Sequence, residues 1–472
     1  MFKNSESDPA GRRAGWFRLF ASVAMMISCA GAVSSETLLP PSEALGSAYP
    51  VFRVPERTDA SAEKAVFREP TGILSLREAL ALSLLHSPDL ATFAWESRAR
   101  EADALQAGLF PNPELKVEAE NFLGTGPFND YDNAETTVTL GQLIELGGKR
   151  SKRRRVAELE RDLADWDYEV RRIDVLTAVT REFVNVLEAQ SRRSLAEELR
   201  NLAVESLDAV SKRVKAGAAS SVEETRAAVN ASSAEVAQRR AGSVLATARA
   251  RLASLWGSRS PKFDHVQGKL GSVYAPPELE SIRQRLENNP DVARWASELA
   301  HRKAVVDLQN ARRIPNVTIE GGVRRFEEVN DSALVLSLSV PLPLFDRNQG
   351  ARQAARARRS RAFSEERAAL ARSSRDLEIA FQMLVNGYDT VIALREDVLP
   401  QAEKAYVGVQ TGYLRGLFRY VDVLDAQRTL FELRDQELSG LGQFHRSAAE
   451  VERLTGTPLH ISSPDLDVRA EN

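Results

Sequence analysis

Cysteine is almost missing from this chain of 472 residues, in which Cys29 is the one example. A single cysteine cannot form a disulfide bond within the chain, so such bonds play no part in the fold. Histidine and methionine are also scarce, at five and four residues. The histidines are His86, His265, His301, His445 and His460. No two of them stand at metal-ligand spacing, and we identify no set of histidines and acids that would hold an ion, so we predict no metal site.

Motifs of catalytic chemistry are missing as well. The sequence contains no phosphate-binding loop, nucleophile elbow or zinc-protease motif. Its 63 basic and 66 acidic residues give a net charge of −3, so the chain as a whole has no bulk attraction to nucleic acid. We therefore predict that the protein is not an enzyme, needs no cofactor and has no nucleic-acid partner.

Long hydrophobic runs are missing after residue 32. A transmembrane helix needs roughly 18 or more consecutive apolar residues, and the later sequence contains no such stretch. The lipid interior tolerates only helices and closed β-barrels, because every backbone polar group there must be paired. The mature chain is therefore either soluble or a membrane protein built from β-strands.

The first 32 residues have the composition of an export signal. A segment with three arginines precedes a short apolar run at 19–30, which is too short to span a membrane as a mature helix. Two routes of processing remain open, namely cleavage at the small residues 30–32 and lipidation of Cys29. We predict a signal peptide over 1–32 and a proline-containing extended linker over 33–73.

The remaining sequence contains an internal duplication. The segment LFPNPELKVEAENF at 109–122 is echoed by RIPNVTIEGGVRRF at 313–326. Similar segments at a long, nearly constant separation indicate a repeat rather than chance. We therefore predict two similar repeats, at 74–262 and 263–457, followed by a tail at 458–472.

Each repeat has the pattern of a helix, two strands, a long helix, a turn and a return helix. In the first repeat, apolar residues recur in steps of three and four from Val156 to Val186, with one break, as in the seam of a coiled coil. The helix would run from about Lys149 to Val214, or roughly 95 Å at 1.5 Å per residue. A cytosolic coiled-coil rod would have the same seam, but the export signal and the strands argue against one.

The four predicted strands each have an apolar face and a polar face. Leu115 and Val117 alternate with charged residues in the first strand, and Leu334 and Leu336 alternate with small residues in the last. Such alternation is typical of transmembrane β-strands and equally of a soluble, half-buried sheet. Four strands cannot close a barrel, and open edges cannot face lipid. A membrane location would therefore require several chains, and three chains would supply twelve strands.

Clusters of basic residues follow the second strand of each repeat, at 149–155 and 347–361. If the strands lie in a membrane, these clusters stand where the chain leaves it and would meet anionic headgroups. The alternative is a solvated helix start that binds nothing. Both interpretations remain open from the sequence.

The doubled plan and its motifs resemble the outer-membrane efflux proteins, the TolC-like channel-tunnels. PNPEL, LGQLIELGGKR, VPLPLFDRNQG and VDVLDAQ stand where that family has similar motifs, and the resemblance covers about 74–457. ELGGKR and PLPLFDRNQG are most similar to the cation-efflux, CzcC-like branch. The resemblance implies a mixed, mostly α fold with long coiled-coil helices. Three chains would form an α-barrel continuous with a 12-stranded transmembrane β-barrel, four strands coming from each chain.

The resemblance also implies a function. The protein would be a homotrimer in the bacterial outer membrane, in contact with its lipid, with the helical barrel in the periplasm. It would act as a passive exit duct, docked on a periplasmic membrane-fusion adaptor and powered by an inner-membrane resistance-nodulation-division pump. The branch implies divalent heavy-metal cations as cargo; drugs, solvents or a secreted polypeptide are alternatives. A periplasmic coiled-coil scaffold with soluble sheets is the alternative from another class.

At the turns between long and return helices, the resemblance assigns individual residues. Gly217 and Gly416, with Leu417 beside the second, would form the tip that docks on the adaptor. Asp422 and Asp425 match the family's aperture acids, and an i,i+3 pair lies on one face of a helix. In a trimer they would form two rings of three carboxylates that attract cations. Alternatively, Asp422 is a first-turn acid that complements the helix dipole.

The first repeat departs from this pattern. Glu223 and Arg226 stand at the positions that match the two aspartates. Glu223 would be a further aperture acid, or it would close a capping box with Ser220. Arg226 brings a positive charge, and our hypothesis is that it pairs with an acid of a neighbouring helix and holds the aperture closed.

Overall fold

The structure is a computed structural model that describes residues 68–459. The predicted signal peptide, Cys29 with its two processing routes, most of the linker, His460 and nearly all of the predicted tail lie outside the described residues. Within the described part, no helix has the length and apolar character needed to cross a membrane.

The first repeat has the predicted sequence of elements with one additional strand and helix. Ser75 begins α1 with a capping box, in which Glu78 accepts from the Ser75 N–H at 2.9 Å. Ser87 caps α2, with Pro88 in its first turn. The elements are β1 (Gly72–Ser75), α1 (Leu76–His86), α2 (Pro88–Ala107), β2 (Glu114–Glu120), β3 (Glu135–Ile144), α3 (Lys149–Lys215) and α4 (Ser221–Ser254). The predicted long helix is confirmed as α3.

The second repeat follows the same order. Its long helix is divided by a π-helical turn at Leu394–Val398, two residues before Pro400. Proline has no N–H to donate within a helix, and the wider turn accommodates its ring. The elements are β4 (Phe263–Gln267), α5 (Leu279–Arg283), α6 (Pro290–Ala311), β5 (Val317–Phe326), β6 (Asp331–Ser339), α7 (Gln349–Ala393), α8 (Leu399–Leu414) and α9 (Tyr420–Thr455). The sequence did not predict this interruption.

The four predicted strands form one antiparallel sheet in the order β2-β3-β5-β6. Its register aligns one apolar row across the sheet: Val117, Val138, Val323 and Leu334. These side chains are between 43% and 89% exposed in the single chain. In a soluble, half-buried sheet, the apolar face would pack against the rest of the protein. Here that face is exposed, so the single described chain does not form the soluble sheet that the alternation also allowed. A second, two-stranded parallel sheet joins β1 to β4 and links the starts of the two repeats.

The helices pack in two tiers. Next to the sheet, the helices lie side by side in the order α2, α3, α6, α7. Farther from the sheet, α3 packs between α4 and α9, and α9 also packs on α7 and α8. Buried clusters around Phe183 and Trp256, around Phe444 and Leu384, and around Tyr420 hold these tiers together. The fold is therefore mostly helical, with long helices and small sheets.

Candidate functional site

The two helix turns at the end farthest from the sheet have the same backbone geometry. Gly217 and Gly416 have φ angles of +72° and +77°, the left-handed conformation that favours glycine. The N–H groups that follow them bond back into the helix, from Ala218 to Arg213 O at 2.8 Å and from Leu417 to Gly412 O at 2.8 Å. No atom lies within 4 Å of a Cβ placed on either glycine. The glycines are required by the turn, and the space around them is open.

Apolar side chains are exposed beside the second turn. Leu414 and Leu417 are 65% and 74% exposed. Phe418 is better packed, because its ring lies against Gly412 and would collide with a side chain there. The second turn therefore presents apolar side chains at the surface of the single chain.

The two hairpins are joined just above these turns. The Arg213 guanidinium donates to the Tyr413 carbonyl at 3.0 Å and lies 4.5 Å from the centre of the Tyr413 ring. The Ser206 and Tyr420 hydroxyls are 3.1 Å apart. Burial, followed by the nearby Glu223 carboxylate, raises the pKa of Tyr413. The sequence missed these contacts, because residues about 200 positions apart share no local pattern.

Glu223 lies within this junction. Its Oε2 accepts a hydrogen bond from the Tyr413 hydroxyl at 3.2 Å. The possible capping box with Ser220 is not formed, because the Ser220 hydroxyl accepts from the Val222 N–H at 3.0 Å and Glu223 turns to the tyrosine instead. Glu223 therefore connects the two hairpins of one chain.

The two aspartates of α9 have different surroundings. Asp422 Oδ2 accepts from the Arg419 N–H at 2.8 Å, so this carboxylate caps the helix start. Asp425 is exposed one turn later, and its carboxylate forms no ion pair or hydrogen bond within residues 68–459. Val423, between them, is buried against the hairpin core. The cap thus accounts for Asp422, whereas the Asp425 carboxylate forms no hydrogen bond and has only the nearby charge of Arg428 on the next turn.

Arg226 is exposed on α4, and within the described part of the chain it forms no ion pair. The partner that the latch hypothesis requires would therefore have to come from another chain or from a different conformation.

The two basic clusters have different environments. At the start of α3, Arg153 pairs with Glu145 at 2.6 Å and donates to the Ala107 carbonyl at 2.9 Å. Arg150 stacks on Phe110. At the start of α7, Arg356 and Arg358 are exposed and have no ion pair within residues 68–459. The α3 cluster is thus largely used inside the chain. In the α7 cluster, Arg352 donates to Asn310 and Arg361 pairs with Glu365, which leaves Arg356 and Arg358 exposed.

Histidines and acids do not assemble into a metal site in the described part. Between residues 68 and 459, no group of three or more histidine, cysteine, aspartate or glutamate side chains is arranged to hold a metal ion. His301 lies 3.3 Å from Glu160, and His445 lies 2.9 Å from the Leu270 carbonyl. Both contacts connect one helix or loop to another.

Comparison with known proteins gives a consistent result. The sequence profile of the family described as "Outer membrane efflux protein" matches residues 79–258 and 281–457. The cobalt-zinc-cadmium resistance protein CzcC of Cupriavidus metallidurans is 36% identical over 419 residues, covering 89% of this chain and 99% of CzcC. The nickel-cobalt-cadmium resistance protein NccC of Alcaligenes xylosoxydans xylosoxydans is 30% identical, covering 58% of this chain and 62% of NccC.

The fold is also similar to that of solved channels. A structure of CusC, described in terms of folding and transmembrane channel formation, superposes with a TM-score of 0.68. It is 16% identical, and the match covers 88% of this chain and 99% of CusC. This likeness concerns the fold alone.

Proposed function

We propose that this chain, which belongs to the outer membrane efflux protein family, works as a homotrimer. The family is one of outer-membrane efflux channels rather than enzymes. In the proposed trimer, twelve strands close a β-barrel in the outer membrane, and the helices form a barrel in the periplasm. The exposed apolar row across the sheet supports this proposal most strongly, because lipid would cover it. The two repeats of the chain correspond to the two matched segments.

Closure of the barrel also follows from the sheet edges. In the single chain, β2 and β6 are the outer strands of the four-stranded sheet. Unpaired edges are not tolerated in lipid, so β6 of one copy would pair with β2 of the next. The polar face would then line the lumen. On that face Arg324 bonds to Glu135 and Thr137, both at 2.9 Å.

The proposed cargo is divalent heavy-metal cations. The support is the similarity to CzcC, which extends over 89% of this chain and whose name states resistance to cobalt, zinc and cadmium. A passive duct does not need a high-affinity site, because conduction requires that the ion leave again. Selection and energy would come from an inner-membrane resistance-nodulation-division pump. That pump would be joined to the duct by a periplasmic adaptor that docks on Gly217, Gly416 and Leu417.

Deleting the gene tests this function. We expect lower tolerance of cobalt, zinc and cadmium, restored by the parent gene. Gly416→Val should fail to restore it, because a β-branched residue is strained at a φ of +77°. Gly408→Val is the matched control, since Gly408 lies on the neighbouring helix α8 with open space around it and no positive φ.

Other outcomes would replace the proposal. Unchanged metal tolerance with new sensitivity to drugs or solvents would assign the alternative cargo. A soluble monomer, absent from outer-membrane fractions, would support the periplasmic scaffold instead.

At the aperture, we propose that Asp425 and Asp422 form rings of carboxylates around the narrowed lumen. Glu223 would contribute a third acid near them, and Arg226 would pair with an acid of an adjacent chain and hold the aperture closed. The exposed and unpaired state of Asp425 supports its part in this arrangement.

Measurements of ion selectivity in planar bilayers distinguish a ring of carboxylates around the lumen from a carboxylate that only caps its helix. Asp425→Asn should lower the preference for cations several-fold and leave the melting temperature unchanged, because its carboxylate has no structural contact. Asp422→Ala should also lower stability, by about 1 kcal/mol per chain, because it removes a helix cap. Unchanged selectivity in Asp425→Asn would contradict the ring.

Single-channel conductance tests the latch. Arg226→Ala should increase the conductance, because it removes the proposed ion pair that holds the aperture closed.

A further inference from the structure

The two connections that lead from the sheet to the long helices differ in length. β3 and β6 run parallel to each other on either side of β5, so both connections leave the same end of the sheet. Four residues join β3 to α3, which begins at Lys149, whereas nine residues, 340–348, join β6 to α7, which begins at Gln349. The second repeat therefore has a longer connection at this level, which we call the 340–348 loop.

The shorter connection is packed within the chain. Glu145 pairs with Arg153 of α3 at 2.6 Å. A side chain at Gly147 would lie 2.7 Å from Ile314, so the backbone there is in close contact with the residues after α6. This connection is therefore fixed by contacts with its own chain.

The 340–348 loop exposes large apolar side chains. Leu342, Leu344 and Phe345 are 74%, 64% and 91% exposed, and no large apolar side chain between residues 68 and 459 is more exposed than Phe345. Pro341 and Pro343 fix the backbone φ angle on either side of Leu342. Burial of apolar surface is the main favourable term in association, so a partner that covers these side chains is favoured.

The backbone carbonyls of this apolar stretch are already paired. The Arg347 guanidinium donates to the carbonyls of Pro343 and Leu344 at 3.3 and 3.4 Å. The Gln349 amide donates to the Phe345 carbonyl at 3.2 Å, and the carbonyl of residue 342 accepts from the N–H two residues later at 2.9 Å. The two prolines have no N–H group to leave unpaired. Lipid excludes unpaired backbone groups, and all four carbonyls from 342 to 345 meet that requirement.

Polar residues begin directly after Phe345 and fix the end of the loop. Asp346 accepts from the Asn348 N–H at 2.8 Å, and the Asn348 side chain donates to the Gln309 carbonyl at 2.8 Å. These bonds hold the start of α7 against α6. The apolar part of the loop is therefore kept at a defined level, next to the sheet end of the helices.

The apolar pattern of β6 continues into the loop. Successive side chains of a strand point to opposite faces, so every second residue of β6 shares the side that meets lipid in the proposed barrel. The strand ends at Ser339, but the apolar series in the sequence continues beyond it: Leu334, Leu336, Leu338, Val340, Leu342 and Leu344. The loop therefore prolongs the apolar series of the strand.

The strand alone is too short to fill the apolar band of a membrane. From Leu334 to Val340 the chain rises about 20 Å at 3.3 Å per residue, or about 15 Å across the membrane at a tilt of about 40°. The apolar band of an outer-membrane barrel is about 25 Å tall. At its other end β6 begins with Asp331, after the polar turn EEVN at 327–330. On β6, the band can therefore be completed only at the end that leads to α7.

We propose that residues 340–345 insert into the leaflet of the outer membrane that faces the periplasm, with Leu342, Leu344 and Phe345 among the phospholipid acyl chains. This inference rests on the proposed trimeric barrel and adds a lipid contact outside its strands, made by the second repeat of each chain. Arg347 brings a positive charge to the level of the headgroups while it pairs the loop carbonyls. The loop then sets how deeply the sheet lies in the membrane and where α7 leaves it.

A second copy is the competing occupant, because β6 is an outer strand with an open edge. A strand of that copy would approach in the plane of the sheet, where backbone groups bond between strands. Side chains stand roughly perpendicular to this plane, so the apolar series that leads into the loop faces away from an edge neighbour. This direction favours lipid.

Quenching of tryptophan fluorescence by brominated lipid tests the insertion. Phe345→Trp is reconstituted into vesicles of phosphatidylcholine with brominated acyl chains, and the emission of the parent protein is subtracted. Leu338→Trp is the positive control, because Leu338 lies on the apolar face of β6 itself. Leu417→Trp is the matched negative control, since Leu417 is as exposed as Leu342 but lies at the turn farthest from the sheet. We expect brominated lipid to quench Phe345→Trp as strongly as Leu338→Trp and to leave Leu417→Trp unchanged.

Reversible unfolding from vesicles by guanidinium chloride gives an independent measure. Phe345→Ala should lower the equilibrium constant for folding roughly tenfold per chain, because it withdraws an aromatic ring from lipid. Leu417→Ala should leave this constant unchanged, because its side chain stays outside the membrane. Equal constants for Phe345→Ala and the parent would contradict the insertion.

The other outcomes identify a different occupant. Blue-shifted emission of Phe345→Trp that brominated lipid does not quench would assign the loop to a second copy. Red-shifted emission that iodide quenches would place the loop in water. Either result would overturn the insertion and, with Leu338→Trp still quenched by lipid, would leave the proposed function standing. An unquenched Leu338→Trp would overturn the proposed barrel itself.

Discussion

Glu188→Ala is expected to lower the free energy of unfolding by about 2–3 kcal/mol, because it removes a buried anion that pairs with two partly buried arginines. Glu188 on α3 is 8% exposed. Its two oxygens pair with Arg446 on α9 at 2.6 Å and with Arg192 at 3.1 Å. Without the carboxylate, Arg446 keeps only its bond to Asn185 and Arg192 keeps its pair with Asp435. The change should appear as a large fall in melting temperature, followed by circular dichroism at 222 nm on the protein in detergent.

The same helix provides a matched control. Glu198 pairs with Arg434 at 2.8 Å, but its side chain is 58% exposed. Exposed pairs are screened by water and contribute under about 1 kcal/mol, so Glu198→Ala should have little effect. Equal losses in the two variants would contradict the assignment of Glu188 as a buried anchor.

The position of Glu188 gives this cluster its importance. α3 belongs to the first repeat and α9 to the second, so the cluster joins the repeats in the middle of the helical body. Gly442 on α9 allows the close approach, because a side chain there would overlap the Glu188 carboxylate and the Arg446 guanidinium. We therefore expect Glu188→Ala to loosen the joint between the repeats as well as to destabilise each chain.

Glu452→Gln is expected to increase stability at alkaline pH by about 3 kcal/mol relative to the parent. Burial of the carboxyl end of Glu452 raises its pKa to about 7, and the hydrogen bond from the Leu459 N–H opposes that shift. This bond, at 3.0 Å, holds the last described residue against the core formed around Phe444. Glutamine retains the acceptor oxygen and removes the charge.

The sign follows from the direction of the shift. The folded pKa of about 7 lies above the ordinary value of 4.5, so the folded chain holds this proton more tightly than the unfolded chain. The stabilisation is complete below about pH 4.5 and is lost as the pH rises through about 7. Between pH 4.5 and 8, parent stability should therefore decline relative to Glu452→Gln.

Thermal melts of the two chains across this pH range measure the difference directly. Glu450→Gln is the control, because Glu450 lies two residues earlier on α9, is half-buried and pairs with Arg181 at 3.5 Å. Its melting temperature should follow the parent at every pH. A constant offset between Glu452→Gln and the parent would mean that Glu452 does not titrate in this range.

Local sequence patterns predicted most of the architecture. The apolar seam from Val156 to Val186 depends on the helical period alone, and α3 spans Lys149–Lys215 as expected. The alternation in the four strands likewise gave the sheet and its apolar face. Gly217 and Gly416 were found as turn residues because a left-handed backbone leaves glycine as the favoured choice. These features are readable because neighbouring residues specify them.

The contacts between the repeats could not be predicted in the same way. Nothing in the local sequence connects Glu223 to Tyr413, or Glu188 to Arg446, since each pair is separated by about 200 residues or more. The π-helical turn before Pro400 and the parallel pairing of β1 with β4 were also missed. The sequence left two roles for Asp422, a member of a carboxylate ring or a helix cap. The structure shows the cap, because Asp422 Oδ2 accepts a hydrogen bond from the Arg419 N–H at 2.8 Å.

By itself, the sequence determined the duplication, the helical and strand periods, the glycine turns and the resemblance to an efflux family, because these are encoded in short-range patterns. Only the tertiary structure decided which charged groups are already paired inside the chain and which remain free. It also showed that the four-stranded sheet ends in open edges. That information depends on residues far apart in the sequence becoming neighbours, as when Arg153 of α3 donates to the Ala107 carbonyl at the end of α2.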